Sequence, residues 1–194
     1  MASGLQALPQ TFTYTEARRQ GLSDRALYAL RDQGSIEPIG RGLYRRADSG
    51  EAADIDLLEI AHRAPAATIC LTSALARHGL TDQIPAVIDI AVPRGRRRPR
   101  TQAPVAWHTF SPATFGIGRD ELRLDAQTSI GMYSPPRCII DAFRLRHREG
   151  TELAQTALRR WLDRPGPQPS EVLAMARHFP QAEPALRATL EILL

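Results

Sequence analysis

The chain has 194 residues, 43% of them hydrophobic and 24% charged, with a formal net charge of +4. This is enough apolar material for one medium domain or two small ones, and no stretch approaches the roughly 20 apolar residues of a membrane span. All 25 basic residues are arginine, so Schiff-base chemistry, the lysine of a phosphate-cradling loop and the lysine of metal-dependent nuclease cores have no residue to carry them.

The N-terminus, Met1 to Gln6, lacks the basic-then-apolar layout of an export signal, which predicts a cytoplasmic protein. Thr13 and Glu16 are spaced as a capping box, so a helix is predicted from about Tyr14, closed by Gly21. Ser23 is a good N-cap for a second helix, Asp24 to about Gln33, which Gly34 ends. On a helical wheel Ala26, Leu27 and Leu30 fall on one side with Ser23, while Arg25, Tyr28, Ala29 and Asp32 fall on the other and Arg31 lies at the flank.

Two extended runs follow, Ile36-Glu37-Pro38-Ile39 and Leu43-Tyr44-Arg45-Arg46, around Gly40-Arg41-Gly42. They read as a β-hairpin with arginine at its tip and on its exit strand. Helix, turn, helix, basic hairpin is the order of a winged helix-turn-helix, predicted over residues 1–48. In that arrangement Ser23, Arg25 and Tyr28 are best placed to reach bases, with Arg31 beside them. Arg41, Arg45 and Arg46 are then expected on phosphates or in the adjacent minor groove. The competing reading is an amphipathic helix whose arginines are merely solvated.

Residues 48–54 are small and polar, a predicted linker. The second domain is predicted over 54–194. Its elements are an amphipathic segment from Asp54 to about Ala64, a short buried run at Thr68–Leu71, and a helix Ala74 to His78 capped by Thr72 or Ser73. Strands are predicted at Val87–Val92 and Val105–Phe110. Helices are predicted at Cys138–His147, Thr151–Asp163, Ser170–His178 and Pro184 to the end.

Between the two strands, Arg94, Arg96, Arg97, Arg98 and Arg100 crowd a loop rich in proline and glycine, which is expected to be exposed. It reads either as a contact for nucleic acid or an acidic partner, or as a solvated hairpin tip. The fold class expected is α+β: a winged helix-turn-helix, then a mixed α/β domain with a small antiparallel sheet and a helical C-terminal part.

Cys70 and Cys138 lie far apart in apolar surroundings, which fits two reduced core thiols. The five histidines, His62, His78, His108, His147 and His178, show no metal-ligand spacing with one another or with cysteine. No metal or cofactor is expected, and no catalytic residue is assigned. An enzyme hidden in the second domain would have to use acids such as Asp89, Asp120, Glu121 and Asp125, with no lysine to support them.

Four segments carry a resemblance to the AbiEi antitoxins of type IV toxin–antitoxin systems. They are Phe12-Thr13-Tyr14-Thr15-Glu16-Ala17 with Gly21-Leu22-Ser23; Gly40-Arg41-Gly42-Leu43-Tyr44-Arg45; Ser73 to Asp82 with Ile84-Pro85; and Arg137-Cys138-Ile139-Ile140-Asp141-Ala142-Phe143-Arg144. The resemblance implies a winged helix-turn-helix that represses its own operon by binding inverted repeats in operator DNA. It also implies a C-terminal antitoxin domain that neutralises a nucleotidyltransferase-like toxin in phage defence, typically without a stable complex. The alternative is a stand-alone winged-helix regulator whose C-terminal domain is a protein or RNA interaction module.

Overall fold

A computed structural model describes residues 2–50 and 54–194, residues 2 and 3 as backbone alone. Its contacts divide the chain into two units. One takes residues up to 65 together with 99–103 and 122–130, and the other takes 66–98, 104–121 and 131–194. This division differs from the sequence boundary at 48–54, and residues 51–53 of that linker lie outside the described residues.

In the first unit the order is α1 (Ala2–Gln6), β1 (Thr11–Thr13), α2 (Tyr14–Arg19), α3 (Asp24–Asp32), β2 (Ile36–Gly40), β3 (Leu43–Arg46) and α4 (Ile55–Arg63). The hairpin β2–β3 is antiparallel, as the glycine-flanked turn requires, with Gly42 at φ +65°. Strand β1 adds to β3 and makes a three-stranded antiparallel sheet in the order β1-β3-β2. Phe12, Ala17, Leu22, Leu27 and Ile36 form its core, and Phe12 stacks on Tyr44 at 5.8 Å between ring centroids.

Helix α4 joins this unit through a buried acid. The Glu59 carboxylate is almost fully enclosed and accepts from Arg63 Nε at 2.7 Å and from the Gln102 backbone N–H at 2.7 Å. Burial of a charge is tolerated only with such partners. Gly40 sits so close that a Cβ there would stand 2.7 Å from Glu59 Oε1, which explains glycine at the end of β2.

The second unit runs β4 (Thr68–Ile69), α5 (Leu71–Arg77), β5 (Ile88–Pro93), β6 (Val105–Phe110), α6 (Pro112–Phe115), β7 (Arg119–Arg123), β8 (Ser129–Tyr133), α7 (Pro135–Arg144), α8 (Arg146–Glu149), α9 (Thr151–Leu162), α10 (Pro169–Ala176) and α11 (Glu183–Leu193). The sheet order is β6-β5-β4-β8-β7. Pairing is mixed: β4 is antiparallel to β5, whereas β4–β8 and β5–β6 are parallel. The ends of β7 and β8 that flank their turn fall in the segment 122–130 counted with the first unit.

The fold is therefore α+β, with a helical C-terminal part in which α7 packs against α5, α9, α10 and α11. The hairpin-tip reading of the basic loop is corrected. β5 and β6 are parallel, so residues 94–104 must carry the chain back along the strands rather than turn it tightly. Helix α5 also starts earlier than its predicted caps: Cys70 is the N-cap position, and Ser73 instead bonds Asp89. Both cysteines are free and buried, and burial pushes both thiols up. Among the described residues no helix is long and apolar enough to cross a membrane.

The larger unit is organised around Arg137, a side chain with no solvent exposure. Its Nε donates to Asp141 Oδ2 at 2.9 Å and its Nη1 to the carbonyls of Thr114 and Ile117 at 2.7 and 2.6 Å. The guanidinium lies 4.2 Å from the Tyr133 ring centroid and 4.5 Å from that of Phe179. Arg144 closes the other side of Asp141, donating from Nε at 3.1 Å. Gly118, at φ +63°, leaves room for this packing, since a Cβ would stand 2.7 Å from Arg137 Cβ.

Removing one member of such a buried pair strands the other charge, a loss of about 3–5 kcal/mol. Arg137→Ala is expected to lower the free energy of unfolding in urea by that amount. A loss under about 1 kcal/mol, the scale of an exposed pair, would contradict the central role given to this pair.

Candidate nucleic-acid interface

Helix α2 starts where Thr13 and Glu16 cap each other. The Thr13 backbone N–H donates to Glu16 Oε2 at 2.6 Å, and the Glu16 N–H donates to Thr13 Oγ1 at 3.2 Å. The helix ends in a paired closure, Leu22 N to Ala17 O at 3.0 Å and Gly21 N to Arg18 O at 3.1 Å, with Gly21 at φ +80°. Ser23 then caps α3 by accepting from Ala26 N at 3.2 Å.

This brings three chain segments to one place. The Tyr14 N–H donates to Gly42 O in the hairpin turn at 2.8 Å, and the Tyr14 hydroxyl donates to Asp24 Oδ1 at the start of α3 at 2.7 Å. The wing turn, the start of α2 and the start of α3 are thereby tied together. Donating to the Asp24 carboxylate holds the Tyr14 phenol above its ordinary value, and Arg18 stands 3.5 Å from the same acid. Tyr14 and Asp24 were not singled out from the sequence, because a bond between a helix-start aromatic and an acid ten residues on leaves no periodic signal.

The outward face of α3 follows the wheel. Leu27 is buried and Ala26 and Leu30 are half-buried, whereas Ser23, Arg25, Tyr28 and Asp32 are exposed. Arg25 makes no ion pair or side-chain hydrogen bond with any described residue. Arg31 is engaged locally, with Nε and Nη2 on Asp32 Oδ1 at 3.0 and 2.8 Å and its guanidinium 5.0 Å from the Tyr28 ring. At the wing tip the Arg41 side chain is exposed and makes no ion pair with any described residue, while its carbonyl accepts from Arg63 Nη2 at 3.1 Å.

The other two wing arginines do not reach outward, and their assignment to phosphates is corrected. Arg45 is buried, with Nη2 donating to Gly50 O at 2.7 Å and to Ser49 O at 3.3 Å. Arg46 braces the N-terminal segment, donating to Leu8 O at 3.2 Å, to Gln6 Oε1 at 3.1 Å and to Asp48 Oδ1 at 2.8 Å. Alternation along β3 turns the two to opposite faces, and each face meets carbonyls that need donors.

These contacts describe an exposed, partly basic surface made by the outward face of α3 with Arg41 at the wing tip. Residues 6–47, which span nearly all of it, match the family model described as a transcriptional regulator, AbiEi antitoxin. Over those residues the chain is similar to AbiEi-type transcriptional regulators. No curated protein matches the sequence. Among solved structures, the RV2827C protein from Mycobacterium tuberculosis is similar at a TM-score of 0.57 and 18% identity, over 97% of this chain and 78% of that one. That likeness is one of fold.

The segments Phe12–Ala17 and Gly40–Arg45, which carry the resemblance, lie within residues 6–47 at the start of α2 and at the wing turn. The acids considered for catalysis are otherwise engaged: Asp89 with Ser73 and His108, and Asp125 with the Gln127 and Thr128 N–H groups and Thr11 Oγ1. Asp120 and Glu121 are exposed on β7. Among the described residues no group of three His, Cys, Asp or Glu side chains could hold a metal.

The capping box makes the interface acid-sensitive. The Thr13 N–H bond holds the Glu16 carboxyl below its ordinary value. Its contribution is therefore complete at neutral pH and is lost as pH falls below the ordinary carboxylate range through the lowered folded value. Glu16→Gln is expected to flatten the acid limb of thermal stability, and Thr13→Ala to lower stability by about 1 kcal/mol at neutral pH. Calorimetric melts from neutral to acid pH measure both.

Proposed function

We propose that the chain is the antitoxin of a type IV toxin–antitoxin system and represses its own operon by sequence-specific DNA binding. It works as a cytoplasmic, non-enzymatic regulator. The match of residues 6–47 to the AbiEi regulators supports this reading, together with the unpaired exposed cation Arg25 on the outward face of α3.

In this reading α3 enters the major groove of an inverted-repeat operator with Ser23, Arg25 and Tyr28 at its early turns, and Arg31 on Tyr28 extends the contact. Arg25 takes the part of a bidentate guanine reader, a role that suits a planar guanidinium. Arg41 lies over a phosphate or in the adjoining minor groove. Arg45 and Arg46 hold the wing in shape. The larger unit acts against a nucleotidyltransferase-like toxin, as the AbiEi resemblance implies.

Fluorescence anisotropy with operator and scrambled duplexes, over a salt series, tests the DNA half. Arg25→Ala is expected to erase about 1–3 kcal/mol of discrimination between the two. Arg41→Ala is expected to weaken both duplexes alike and reduce the salt slope by about one. Arg45→Ala leaves the salt slope unchanged and costs stability instead. Wild-type affinity and slope in both Arg25→Ala and Arg41→Ala would refute the interface.

The antitoxin half is tested by the adjoining gene. A nucleotidyltransferase there whose growth arrest is relieved by this chain supports the reading, and an arrest left unrelieved refutes it.

A further inference from the structure

Among the described residues strand β6 lies at the edge of its sheet and pairs only with β5. The Ile88 N–H donates to Pro104 O and the Arg94 N–H to Phe110 O, both at 2.8 Å. Even-numbered residues therefore aim their backbone groups at β5, and alternation aims those of Val105, Trp107 and Thr109 away from it.

Edges are normally guarded by proline, by charge, by a bulge or by shortness. Within β6 there is no proline, aspartate, glutamate, lysine or arginine. Its sequence is Val-Ala-Trp-His-Thr-Phe, and its register with β5 is continuous from Ile88↔Val105 to Pro93↔Phe110.

The strand borders a groove of about 420 Å³ lined by Trp107, His108 and Phe110 and by Arg98, Arg144 and Arg148. Arg98 and Arg148 are exposed and make no ion pair with any described residue. Arg144 stands 4.6 Å from the Phe110 ring centroid and is paired to Asp141, and His108 Nε2 lies 2.9 Å from Asp89 Oδ1. The groove thus offers an edge backbone ladder, unpaired on its outer side among the described residues, with the exposed cations Arg98 and Arg148 beside it.

We propose that the β6 groove docks an extended acidic segment of a partner protein, which adds as a strand to β6 and places its carboxylates on Arg98 and Arg148. Strand addition takes affinity from the ladder and specificity from the side chains around it. A nucleic acid would meet the arginines but leave the ladder at 105, 107 and 109 unused. A second copy of this chain would bring the same guanidiniums onto one another. The inference rests on residues of the larger unit alone and stands apart from the operator reading.

A short fluorescein-labelled peptide of alternating glutamate and valine, titrated into the full chain, probes the site, with a lysine–valine peptide and single-stranded DNA as comparison arms. The acidic peptide is expected to bind and to protect the Val105, Trp107 and Thr109 amides from hydrogen exchange. Thr109→Pro removes one outward N–H and no bond to β5, and is expected to abolish peptide binding while the far-ultraviolet circular dichroism spectrum and the melting temperature of wild type persist as the control for folding. Arg98→Glu with Arg148→Glu is expected to raise the Kd at least about tenfold, the scale of one charge-assisted contact.

Peptide binding that survives Thr109→Pro would reduce the effect to unspecific charge attraction and overturn the proposal. So would tighter binding of the DNA through the same arginines, self-association in light scattering that the peptide does not dissolve, or no binding of the acidic peptide.

Discussion

The larger unit depends on one buried cation. Arg137 has no solvent exposure, so its donors depend on protein: Nε and Nη1 find partners on α6, on the turn after it and on α7 itself, while Nη2 has no hydrogen-bond partner among the described residues. Burial pushes the Asp141 carboxyl up, while the Arg137 and Arg144 guanidiniums pull it down. The geometry around this pair dictates much else: glycine at 118, the aromatic ring of Tyr133, and the packing of Phe179 from beyond α10. Such a centre confers specificity of arrangement more than net stability, because the desolvation cost of both charges offsets most of their attraction.

The same question, what each guanidinium bonds, separates structure from function across the chain. With no lysine present, every cation is a planar fork able to satisfy carbonyls or to grip a phosphate. Arg45, Arg46 and Arg63 satisfy carbonyls and carboxylates within the first unit, as Arg137 and Arg144 do within the second. Arg25 and Arg41 in one unit, and Arg98 and Arg148 in the other, are left facing solvent. Those four are where the operator and docking readings place their anionic partners.

The capping box, the second N-cap, the amphipathic face of α3 and the glycine-marked hairpin were all legible in the sequence. Each depends on residues within about four positions of one another, where local sterics and hydrogen bonding decide. Strand β1 was not legible, since three residues of Thr-Phe-Thr carry too little pattern until β3 is there to pair with them. The pairing of β5 with β6 was equally hidden: both strands could be read, but parallel and antiparallel neighbours share the same alternation. The basic loop consequently looked like a hairpin tip.

The sequence by itself determined the α+β class, the helix-turn-helix with its wing, the outward side of α3 and an all-arginine set of cations. Tertiary structure alone decided which arginines are free, that α4 belongs with the first unit through Glu59, and that β6 is an open edge beside a basic groove. The reason is physical. Helix caps and amphipathic faces are set by neighbours along the chain, whereas the fate of a charge is set by whichever distant carbonyl or carboxylate folding brings within 3 Å of it.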